Sequence, residues 1–83
     1  MWIDDKVRRL ADHLRAGYDP QYADELIDFL DHDEAVVGFE MLSQDLYSDG
    51  VSLTKELLAE LEDVAHALNI DEKWWGPLKH LVN

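Results

Sequence analysis

Apolar residues recur along this chain at steps of three and four, the period of helices that bury one face. Ile3, Val7, Leu10, Ala11 and Leu14 make the first stripe, and Gly17 is expected to end it in the left-handed conformation. Asp19-Pro20 then offers a capping carboxylate and a first-turn proline, ahead of Ala23, Leu26, Ile27 and Leu30. A third helix carries Ala35, Phe39, Leu42 and Leu46, with Asp33 as its expected cap, Glu34 near its positive end and Asp49-Gly50 as its stop. Leu53-Thr54 opens a fourth, with Thr54 as cap and Leu53 and Leu58 as a hydrophobic staple. Its stripe is Leu57, Leu61, Val64, Ala65 and Leu68, and Asn69 is the expected C-cap.

A last segment starts at Asp71, and Gly76-Pro77 should break or kink it. Trp74 and Trp75 are adjacent and cannot face the same way, so one is expected in the core and the other at the surface. Trp2 is expected to act as a lid on the core. No strand pattern and no internal repeat occurs. The expectation is a single all-α domain over residues 1–83, a compact bundle of four to five short helices joined by short connections, with no sheet.

Composition sharpens this picture. With 47% apolar residues the chain is far from the disordered class, although 83 residues allow only one modest core. The formal net charge of -12 repels phosphate backbones and anionic lipid, which argues against nucleic-acid or membrane binding. It favours a basic protein partner instead. There is no Cys, so thiol catalysis, disulfides and thiolate metal sites are excluded. MWIDDKVRRL lacks the form of a signal peptide, no apolar run approaches a membrane span, and the expected location is cytoplasmic.

The charge is unevenly placed. Residues 24–50 hold nine carboxylates, and no Lys or Arg occurs between Arg15 and Lys55. Asp24, Asp28 and Asp31 repeat at helical spacing on one side of the second helix, where like charges repel. Solubility explains such a row, but so does a partner. The third helix has apolar residues almost all round, since Val36, Val37, Met41 and Tyr47 lie outside its stripe. It reads as a central helix touched on several sides, or as one whose row Val36, Glu40, Ser43 and Tyr47 forms an exposed binding edge, and the two readings can both hold in part.

Chemistry of other kinds finds little support. The acids and His13, His32, His66 and His80 do not fall at calcium-loop or helical zinc spacings. Ser43, Ser48, Ser52 and Thr54 have local explanations at helices and turns, and no nucleophile elbow or phosphate loop occurs. A chain this short leaves little volume for a ligand pocket beside its core. Neither an enzyme nor a cofactor is expected.

Within residues 34–78, Glu34, Phe39-Glu40, Leu42, Leu46-Tyr47, Asp49, Leu53-Thr54, Leu57, Leu61, Leu68, Trp75 and Leu78 form a pattern. It resembles the MafI-type immunity proteins of bacterial polymorphic toxin systems. The resemblance implies a cytoplasmic antidote that binds and blocks a cognate toxin domain. A toxin that cuts nucleic acid needs a basic cleft, the kind of partner that the charge also suggests. The residues expected to meet it are Asp24, Asp28, Asp31, Asp33, Glu34, Glu40, Tyr47 and Asp49. Two other classes remain open: a nucleic-acid mimic covering a basic host protein, and a helical adaptor that binds through an apolar groove.

Overall fold

In a computed structural model, which describes residues 2–82 and the side chains of residues 3–82, the stripes become α1 (Trp2–Gly17), α2 (Pro20–Asp31), α3 (Ala35–Asp49), α4 (Lys55–Ala67) and α5 (Glu72–Trp75). A 3-10 segment, Gly76–Leu81, completes the chain where Gly76-Pro77 ends α5. The architecture is all-α. An isolated bridge between Leu53 and Val82 is the one strand-like pairing among the described residues, and it ties the α4 entry to the C-terminal segment. The lid role expected of the Trp2 side chain lies outside the described residues.

Capping chemistry fixes most of the boundaries. The Asp19 carboxylate accepts from Gln21 N, the Thr54 hydroxyl from Leu57 N and the Asp71 carboxylate from Lys73 N. Each satisfies a donor that the first helical turn leaves open. At the other ends α2, α3 and α4 close in the same way. Glu34 N bonds Phe29 O, Val51 N bonds Leu46 O and Ile70 N bonds Ala65 O, at 2.8, 3.1 and 2.9 Å. In each a left-handed residue stands just before the donor: Asp33, Gly50 and Asn69, with φ of 61°, 64° and 63°. These are Schellman closures, and only the middle one uses glycine.

Two expected boundaries are thereby corrected. Asp33 does not cap α3. It is the left-handed stop of α2, and α3 starts from Glu34 with no side-chain cap. Nor is Gly17 a left-handed stop: it remains helical within α1, and Gly50 is the one glycine with positive φ among the described residues. Pro20 already prevents helix continuation just downstream, so α1 ends without that turn.

The side-chain contacts run in opposite order along neighbouring helices, so α2 is antiparallel to α1 and α3, and α4 is antiparallel to α1. Arg15 meets Asp24 and Arg8 meets Asp31 between α1 and α2. Lys6 meets Asp63 and His13 meets Glu60 between α1 and α4. Between α2 and α3, Tyr22 meets Asp49 and Phe29 meets Gly38. One core results, with Val7, Leu10 and Leu14 of α1, Leu26 of α2, Phe39 and Leu46 of α3, and Leu57 and Leu61 of α4 all buried. Trp75 and Leu78 seal it from the C-terminal side, while Trp74 stays at the surface.

Gly38 is the tightest point of this packing. A Cβ built there would sit 2.6 Å from Phe29 Cβ, an atom close to the α2 backbone with little freedom to move. Alanine normally favours a helix interior over glycine by about 1 kcal/mol. Here Gly38→Ala should instead lower stability by about 1–3 kcal/mol through overpacking, and Phe39→Ala should cost about 3–5 kcal/mol through the cavity it leaves. Urea unfolding measures both. A Gly38→Ala protein as stable as the parent would contradict the α2–α3 contact.

Candidate interaction surface

α3 packs its Phe39, Leu42 and Leu46 side inward and leaves the opposite side open. Val36, Val37, Met41 and Tyr47 are 42%, 43%, 44% and 53% exposed. Trp74 is the fifth large apolar side chain exposed to this degree among the described residues, so four of the five belong to one helix. At 3.6 residues per turn these four fall within an arc of roughly 140°. Both readings of α3 therefore hold in part. The helix rests on α2 along one side and on the C-terminal segment along another, and its outer face meets solvent.

The row of Val36, Glu40, Ser43 and Tyr47 is broken at one position. Ser43 is buried on the boundary between the two faces, and its hydroxyl has no hydrogen-bond partner among the described residues. Glu40 is half-buried and Tyr47 exposed, so these two do share the outer side. Tyr47 also lines a groove of about 250 Å³ with Trp74 and Pro77, which carries the apolar surface across onto α5. The buried Trp75 ring nitrogen likewise has no partner among the described residues, and Lys79 lies over that ring at 5.2 Å from its centroid.

The acidic row of α2 is less free than its sequence suggests. Asp24 and Asp31 each accept from an arginine of α1, Arg15 and Arg8, at 3.1 Å. Asp28 faces the His32 ring at 3.6 Å, and His32 Nδ1 lies 2.7 Å from the Asp28 main-chain oxygen. That main-chain bond and then the Asp28 carboxylate raise the His32 pKa above its ordinary value. The cations missing from residues 16–54 thus arrive from α1 across the helix pair. Exposed pairs of this kind contribute about 0–1 kcal/mol to stability. Their larger consequence is that a partner must compete with them for Asp24 and Asp31.

Other carboxylates have no ion pair among the described residues, although the Glu34 charge also acts on His32. Asp33 and Glu34 stand exposed at the α2–α3 turn, and Glu40 sits in the middle of the outer face. A second group lies in a cleft of about 310 Å³ between α2 and α3, lined by Asp19, Glu25, Asp45 and Asp49 together with Tyr22. Of these only Asp49 belongs to the residues expected from sequence, and there it accepts the Tyr22 phenol hydrogen. The sequence holds no sign of this gathering, because Asp19 and Asp49 come together only through the antiparallel pairing. Open grooves of this size run along the helix seams.

The cleft has measurable electrostatics. Burial, the bond to Asp49 and the nearby acids push the Tyr22 pKa from 10.0 up to about 12. Burial, then Glu25 and Asp49, raise the Asp45 pKa above its ordinary value. No cluster of three or more His, Asp or Glu suited to a metal ion occurs among the described residues. No helix among them is long and apolar enough to cross a membrane. No protein-family model, curated protein or solved structure matches the chain.

Both shifts favour the protonated form in the folded state, which fixes the sign of the pH dependence. Tyr22 contributes stability below its ordinary value of 10.0, and that contribution fades as pH rises through about 12. Asp45 contributes at acid pH and loses its contribution as pH rises through its folded value. Asp45→Asn should therefore raise the melting temperature at neutral pH, with the gain vanishing below the ordinary carboxylate range. In an ultraviolet titration Asp49→Asn should move the Tyr22 ionisation to lower pH. No gain from Asp45→Asn at neutral pH would contradict the crowding of acids.

Proposed function

We propose that this protein is an immunity-type inhibitor, which binds a basic toxin domain, of the nuclease kind, through the outer face of α3 and keeps it from its substrate. The observation that carries this reading is the concentration of exposed apolar side chains on one helix that holds no Lys or Arg. Tyr47 is of a type enriched at binding hot spots, and Val36, Val37 and Met41 add apolar contact area around it, inside a polar rim of the kind interfaces carry. Carboxylates without ion pairs lie beside that face, Asp33 and Glu34 at the start of α3 and Asp45 and Asp49 in its cleft with α2.

The physical roles divide naturally. A domain that cleaves nucleic acid holds its phosphates in a cationic cleft, so an overall charge of -12 accelerates encounter with it. The apolar face then slows dissociation by excluding water around the contacts. Occupation of the cleft or its rim denies the nucleic acid its place. A surface that only imitated a phosphate backbone would have no use for Val36, Val37, Met41 and Tyr47. An adaptor would use the apolar face but would gain nothing from the acids around it.

Purification of the stoichiometric partner from the producing cells, followed by binding kinetics, tests this. The association rate should fall steeply with salt while dissociation changes less. Neutralising Asp33, Glu34 and Glu40 should flatten that dependence more than neutralising Asp24, Asp28 and Asp31, which α1 and His32 already balance. Tyr47→Ala or Glu40→Gln should cost about 2 kcal/mol of binding, roughly thirtyfold, with the melting temperature nearly unchanged. A salt-independent rate, or loss of affinity only in parallel with unfolding, would defeat the proposal.

A further inference from the structure

At one pole of the bundle α1 and α3 begin while α2 and α4 end, and a groove of about 380 Å³ opens between them. Ile3, Leu30 and Leu68 form its half-buried sides, and the exposed Val36 and Val37 carry it onto the outer face of α3. None of these five aliphatic side chains is fully buried. On the same lining stand Asp4, Asp33 and Glu34, none with a hydrogen bond or ion pair to its carboxylate among the described residues. The neighbouring His32 ring is held by Asp28.

Two helix starts and two helix ends meet at this pole, so their partial charges largely cancel. The three carboxylates therefore decide the sign of the groove. It is an apolar trough with a negative rim. We infer that it receives one amphipathic helical segment of a cationic protein, whose aliphatic residues enter the trough while flanking Lys and Arg side chains meet Asp4, Asp33 and Glu34. This rests on the reading above that the partner is a basic protein. Among the described residues there is no sheet edge to which a strand could add, whereas a trough between helices suits anchors at helical spacing. A second copy of this chain fits poorly, because its charge of -12 would bring the same acids face to face.

The probe is a fluorescent synthetic helix with Leu at successive third and fourth positions and Lys elsewhere, compared with the same peptide carrying Gln for Leu. At low salt the Leu-Lys peptide should bind at least about tenfold more tightly than its Gln counterpart. Methyl spectra should shift at Ile3, Leu30, Val36, Val37 and Leu68. Val37→Ser and Glu34→Gln should each weaken binding several-fold with unchanged circular dichroism. Equal binding of the two peptides would overturn the groove, and so would shifts confined to the Tyr47–Trp74 groove or to α2. Dimerisation in sedimentation that Val37→Ser abolishes would also overturn it, because a second copy would then be the occupant. A toxin domain blocked with full affinity by both variants sinks the groove and leaves the inhibitor reading standing. Peptide binding as described, in a protein that blocks no basic domain, does the reverse.

Discussion

The close approach of Gly38 to Phe29 decides which side of α3 the solvent sees. With no side chain at position 38, the two helices come within van der Waals reach at that point. Phe39, Leu42 and Leu46 then turn into the core beside Leu26. Because a helix has only one opposite side, Val36, Val37, Met41 and Tyr47 are turned outward by the same geometry. The left-handed Asp33 sets the turn that brings α3 back along α2. Thus a local backbone device and a missing Cβ together create the apolar face on which the functional reading stands.

Charge follows from the same pairing. Antiparallel α1 and α2 bring Arg8 and Arg15 against Asp31 and Asp24, so the most regular acidic row in the sequence is largely neutralised. The acids without ion pairs lie where α1 brings no Lys or Arg among the described residues, at the α2–α3 turn and in the α2–α3 cleft. In the cleft, burial and then the neighbouring Glu25 and Asp49 work against a charged Asp45 at neutral pH, as its raised pKa indicates. Acids kept at such a cost suit a surface that meets a cationic partner. In the proposed reading the apolar face would supply contact area, and the acids its sign.

Much of the fold was legible in the sequence because its signals are local. The caps Asp19 and Thr54, the stop at Gly50 and the four apolar stripes depend on neighbours within a turn or two. The opposite orientations of Trp74 and Trp75 follow from adjacency alone. Asp33 and Gly17 were misread because a left-handed residue is set by the turn that must be closed, and aspartate adopts that conformation when the chain demands it. Ser43 and the Tyr22 cleft were illegible for a different reason. Their environments are made by residues far away in sequence, and no spacing rule carries that information. Glu40 and Tyr47 were placed on a shared side by helical period, and they do share it.

The central claim is that α3 has one face committed to the core and one free for a partner. Paramagnetic relaxation by a soluble, uncharged gadolinium chelate reads this directly, residue by residue, in the isolated protein. The account predicts strong relaxation at the side chains of Val36, Val37, Met41 and Tyr47, with Phe39, Leu42, Ser43 and Leu46 protected. Equal protection around the whole helix, at concentrations where the protein is a monomer, would contradict it.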